Sequence, residues 1–99
     1  MEPIPFEVGR VVQSIQGRDR KRYFIVIASP EADCLFLSDG MTRKLDHPKK
    51  KKTKHVRPKP VRMDSFQSLK AENRLKDSDI RAFLLENGFG PVQPLCKED

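Results

Sequence analysis

Between Arg43 and Arg62 the chain carries ten lysine and arginine residues against one acid, Asp46. The net +9 of this stretch exceeds the +6 of all 99 residues, so the remainder is net negative. Ammonium groups at that density suit phosphate backbones. Each neutralised phosphate releases condensed counterions, and lysine reads charge without reading sequence. Lys49, Lys50, Lys51, Lys52 and Lys54 form the centre of the run, with His55 beside them. Arg43, Lys44 and Arg57 flank it, and the arginines can add bidentate phosphate contacts or stacking. Two alternatives are a plain solvated loop and an anionic membrane surface. The membrane reading usually wants an amphipathic helix or a lipid anchor, and neither is evident.

A second basic cluster follows Gly17. Arg18, Arg20, Lys21 and Arg22 precede Tyr23, and cations beside an aromatic ring can hold a nucleic-acid backbone and stack a base. Packing in the core is the competing role for Tyr23. Asp19, alone among these cations, suits bracing of the loop by local hydrogen bonds. His47, His55, Cys34 and Cys96 are the remaining metal-ligand types, but their spacing fits no zinc pattern. Cys34 sits in an apolar run, as a small core residue does. No nucleophile–base pairing, Gly-rich phosphate loop or acid pair stands out. The expectation is a non-enzymatic protein without cofactor or metal.

Something must position these charges. Ninety-nine residues with 36% hydrophobic and 34% charged content make one small domain with a limited core. The charge is uneven: +8 over residues 1–63 and −2 over residues 64–99. The sparse cysteines suit reduced thiols in a cytoplasmic protein. The acids and prolines of the first residues do not make a signal peptide, and no run is long enough to span a membrane.

Short apolar runs, β-branched or aromatic in the first two, predict strands over residues 8–15, 23–28 and 34–38. The second, Tyr23-Phe24-Ile25-Val26-Ile27-Ala28, is apolar at consecutive positions, so both its faces should be covered. Residues 29–33 read as a turn. Asp39-Gly40 is a tight-turn signal, predicting a short fourth strand over residues 41–45. Pro48 then releases the lysine run as a loop. Residues 54–57 return as a fifth, edge strand, ended by Pro58 and Pro60. Asp77-Ser78 should cap a helix over residues 79–87 with Gly88 as its stop, presenting Ile80, Phe83 and Leu84 on one face. Residues 65–75 suggest a weaker helix with Phe66 and Leu69 inward. A mobile tail is expected from Phe89 onward. The sum is a mainly β fold: a small antiparallel barrel over residues 1–63, with a helical extension and tail over residues 64–99.

Val8-Gly9-Arg10-Val11-Val12, then Gly17-Arg18-Asp19, then Tyr23-Phe24-Ile25-Val26-Ile27 resemble a KOW motif, as found in ribosomal proteins and some transcription factors. Asp39-Gly40, Arg43-Lys44, Pro48-Lys49-Lys50-Lys51-Lys52 and Lys54-His55 are similar, in register, to small bacterial KOW-domain proteins related to large-subunit ribosomal proteins. So is the helix beginning Ser78-Asp79-Ile80-Arg81. The resemblance covers about residues 7–57 and that helix. It implies an SH3-like barrel of KOW type and binding to RNA, ribosomal RNA first, in a translation-associated monomer. Many relatives carry a second glycine near Lys21. If that backbone position needs a positive φ, a lysine there is strained. Two other classes stay open: a protein-docking barrel of the transcription or translation machinery, using the helix face, and a DNA-binding nucleoid protein.

Overall fold

The computed structural model describes residues 6–17, 20–41 and 43–89. Strands β1 (Arg10–Ser14), β2 (Tyr23–Glu31), β3 (Cys34–Ser38), β4 (Lys49–Lys52) and β5 (Val56–Arg62) form one antiparallel sheet in the order β4-β3-β2-β1-β5. A 3₁₀ turn at Thr53–His55 joins β4 to β5, and helices α1 (Phe66–Ala71) and α2 (Asp77–Glu86) follow. The protein is thus mainly β, as its short apolar runs predict. The sheet is not closed: β4 and β5 are its two edges.

Three expectations along the sheet need correction. First, β2 runs on through Ser29 and Pro30 to Glu31, which pairs with Cys34. Pro30 lies where the ladder is irregular, between Ala28 and Glu31, and proline is tolerated at bulges. Second, the described residues of 41–45, which exclude 42, form no strand. The Asp39 carboxylate accepts the amides of Met41 (2.8 Å) and Arg43 (2.9 Å), while the Arg43 carbonyl accepts Ser38 Oγ–H (2.7 Å) and the Asp39 amide (3.0 Å). Those groups close a local turn instead of a ladder. Third, the lysine run is not a loop freed by Pro48. It is β4, with Leu37, Phe36, Leu35 and Cys34 opposite Lys49, Lys50, Lys51 and Lys52 in turn. Lysine is a poor strand former but suits an edge, where its charge repels further pairing. The fifth strand is an edge, as expected, but Pro58 and Pro60 lie inside it; Pro58 stands opposite Val12.

Each face of the sheet has its own core. Val12, Phe24, Val26, Leu35, Leu37 and Val56 form one cluster, and Val11, Ile25, Met63, Phe66, Ile80 and Leu84 form the other. Phe24, Ile25 and Val26 are all fully buried, so β2 is covered on both faces as its sequence demands. The helices supply much of the second core. Ile80 and Leu84 of α2 point into it with Phe83 partly buried, and Phe66 and Leu69 do the same from α1.

Helix α2 begins two residues before the predicted start because Asp77 is not its cap. The Asp77 carboxylate accepts the Leu45 amide at 2.7 Å, and Asp79 accepts the Lys76 amide at 2.9 Å. Its end is as predicted. Gly88 has φ +81°, and the amides of Gly88 and Phe89 bond back to the carbonyls of Leu85 and Leu84, a Schellman stop. Helix α1 stops at Ala71, short of the predicted 75, through the same pattern with Asn73 at φ +60°. The predicted tail lies, beyond Phe89, outside the described residues. Among the described residues no helix is long and apolar enough to cross a membrane.

Candidate nucleic-acid interface

The four lysines of β4 have unequal surroundings. Lys50 and Lys52 are exposed, Lys49 is half-buried, and Lys51 is only 9% exposed. Alternation puts Lys49 and Lys51 on the face of Leu35 and Leu37. Lys51 lays its stem along that core and sends its ammonium to Ser14 Oγ (2.8 Å) and the Gln16 carbonyl (2.7 Å). This cation ties the edge strand to the end of β1. Sequence reasoning assigned Lys51 to phosphate with its neighbours; nothing in a lysine tetrad marks which member is structural.

That tie sets the lysine strand against the Gln16–Gly17 turn. Gln16, Gly17, Lys49, Lys50, Lys51, Lys52 and His55 line one open depression. The 3₁₀ turn is held there from both sides. The Ile15 amide donates to the His55 carbonyl (3.0 Å), and the Thr53 amide to the Asp33 carbonyl (2.9 Å). Lys54 is exposed on the same turn. The result is a concave, cation-lined surface on fixed backbone, suited to successive phosphates.

The other predicted residues fall elsewhere. Arg43 and Lys44 are exposed on the turn after β3, which docks on α2 through Arg81 Nη1 to the Gly40 carbonyl (2.7 Å). Arg57 is exposed on β5 opposite Gln13. Tyr23 is half-buried on the helix side, its ring 4.7 Å from that of Phe89 at 47°, with Lys59 Nζ 5.9 Å from its centroid. Arg22 is half-buried beside Tyr23 in a cleft with Met41, Arg81 and Leu84. Arg20 and Lys21 are exposed near the end of β1, while Arg18 and its neighbour Asp19 lie outside the described residues. Arg62, last in the basic run, is engaged by Glu7 (3.5 Å) and Asp64 (3.3 Å).

Lys21 has φ +75°, with its amide donating to the Ser14 carbonyl at 2.7 Å. The left-handed conformation costs a side-chain-bearing residue about 1 kcal/mol. We predict that Lys21→Gly raises stability by less than that amount, because glycine also frees the unfolded chain, read as a slightly higher denaturation midpoint at unchanged m-value. An unchanged or lower midpoint would show that the lysine side chain offsets its backbone cost.

Cys34 is buried, and burial, with the carboxylates of Glu31 and Asp33, pushes its thiol above the ordinary value. A thiol held protonated is a poor nucleophile and fits the core role. The potential ligand atoms of Cys34, Glu31 and Asp33 lie within 4.8 Å of one another, a grouping that includes neither histidine. His47 is exposed, with Nδ1 3.4 Å from Asp46. The sequence matches no protein-family model and no curated protein.

Proposed function

We propose that this protein is a non-catalytic RNA-binding module of the KOW type, docking on structured RNA in the translation machinery. The observation that carries the reading is the convergence of β4, the 3₁₀ turn and the Gly17 turn into one cationic depression. The strand order, with a 3₁₀ turn leading into the last strand, supports the finer description as an SH3-like barrel left open between β4 and β5. Lys50, Lys52 and Lys54 would contact phosphates most directly, with Lys49, His55 and the Gly17 backbone beside them. Arg20, Lys21 and Arg22 extend the field. The protein-docking alternative needs the apolar face of α2, yet Ile80 and Leu84 are already buried against the sheet. DNA remains the rival polyanion.

Binding to structured RNA across a salt series, with a duplex DNA of equal length in parallel, tests the reading. Five or six phosphate contacts predict a log–log slope of about −4 to −5. Crosslinking in cells should recover RNA. Recovery of DNA alone, or a flat salt response, would sink the proposal.

A further inference from the structure

The helices cover only part of their side of the sheet. The core beneath them contains Val11 of β1 and Ile25 of β2, but no residue of β3 or β4. On β3, Leu35 and Leu37 turn to the other core, so alternation turns Phe36 to the helix side, beyond the helices. Phe36 is half-buried and belongs to neither cluster. Its cross-strand neighbours are Ala28 on β2 and Lys50 on β4. The alanine is too short to cover the ring. Lys50 is exposed beside it, and Lys52, two residues along, is exposed on the same side. Among the described residues neither lysine has an ion-pair partner. Past Ala28 the surface opens into a groove with Leu45, Leu75 and Lys70.

An aromatic face flanked by unpaired cations is how sequence-tolerant binders of single strands work: a base stacks on the ring and its phosphates meet the cations. We propose that Phe36 is a stacking platform for an unpaired RNA base, with Lys50 and Lys52 holding the flanking phosphates. The proposal rests on the RNA-binding reading and deepens it, because it makes an unpaired nucleotide part of the target. A platform on a strand is rigid, so stacking adds little ordering cost on the protein side. Tyr23 is less suited to this task, since Phe89 and Lys59 already occupy its surroundings.

The test uses oligouridine and a blunt RNA duplex of equal phosphate count, at one salt concentration. Phe36→Leu keeps an apolar side chain and removes the π face. It should weaken oligouridine binding about tenfold, within the usual range for loss of one stacked base, and change duplex binding less than about twofold. The chain contains no tryptophan, so Phe36→Trp supplies the sole tryptophan, whose emission can be excited apart from that of Tyr23. Oligouridine should quench its emission and the duplex should not. Equal weakening of both RNAs by Phe36→Leu, no weakening, or unquenched emission at saturating oligouridine would overturn the stacking role. Wild-type protein that binds neither RNA would overturn the RNA-binding reading itself. Thermal unfolding of both variants separates a loss of binding from a loss of fold.

Discussion

Replacing Lys50, Lys52 and Lys54 together by alanine should, under the proposed function, lower the salt slope of RNA binding by about 2–3 and leave thermal stability nearly unchanged. Lys51→Met does the opposite. The three lysines are exposed, so their removal should delete the proposed phosphate contacts and little else. Lys51 is different because its ammonium bonds Ser14 Oγ and the Gln16 carbonyl on the far side of the core. Methionine keeps the apolar stem and deletes the two hydrogen bonds. Ser14, 1% exposed, still donates to the Gln16 carbonyl at 3.0 Å but loses its partner ammonium. A charged donor lost from such a site costs about 1–3 kcal/mol. The pair of measurements is salt-dependent affinity and denaturant unfolding. If Lys51→Met flattens the salt slope as much as a single exposed-lysine substitution while leaving stability intact, Lys51 contacts phosphate and the assignment is wrong.

Of Gly9, Gly40 and Gly88, Gly40 should tolerate alanine least. A Cβ on Gly40 would stand 2.3 Å from the Asp77 carbonyl oxygen and 3.1 Å from the Arg81 amide nitrogen. Both obstacles are backbone atoms of the first half of α2, so neither can swing away. The residue also has φ +75°, which glycine alone adopts freely. Relief requires separating the Asp39–Gly40 turn from the helix, and with it the Arg81 bond to the Gly40 carbonyl. The left-handed and overpacking costs together amount to about 3 kcal/mol. For a chain of this size that is a fall in Tm of about 12–25 °C. Gly88→Ala is the matched control. Its φ is +81°, but no atom lies within 4 Å of the added carbon, so only the conformational cost of about 1 kcal/mol applies. Similar losses for the two variants would show that the turn–helix contact is softer than its geometry.

The legible parts of the fold are those where local pattern and tertiary environment agree. Strands β1 and β2 carry β-branched apolar residues, β3 is apolar without them, and the apolar residues of all three are largely buried. The Ile80–Phe83–Leu84 stripe meets a core, and Gly88 is the stop its position suggests. The strain anticipated at Lys21 is present as a positive φ. The misread parts are those where a side chain acts at long range. Asp77 resembles a helix cap until its carboxylate is found on Leu45, 32 positions away. Four successive lysines look solvated until one of them reaches Gln16, 35 positions away. For the site, charge located the run and the Gly17 turn, and the structure joins them. It leaves Arg43, Lys44, Arg57 and Tyr23 on other parts of the surface. Phe36 escaped notice because an apolar residue in an apolar strand gives no sign of which neighbours will fail to cover it.

Strand β2 belongs to both cores at once, with Phe24 and Val26 in one and Ile25 in the other. Neither half of the protein can therefore loosen alone. Removing the helices would bare Ile25 and Val11, while opening the far face would bare Phe24 between the same two neighbouring strands. The boundary that charge and composition suggest near residue 63 thus separates two chemistries, and the cooperative unit runs across it. Amide exchange should be slowest in the middle of β2, and its rate there should report global unfolding. A surface built on this framework keeps its cations in fixed register until the whole domain melts.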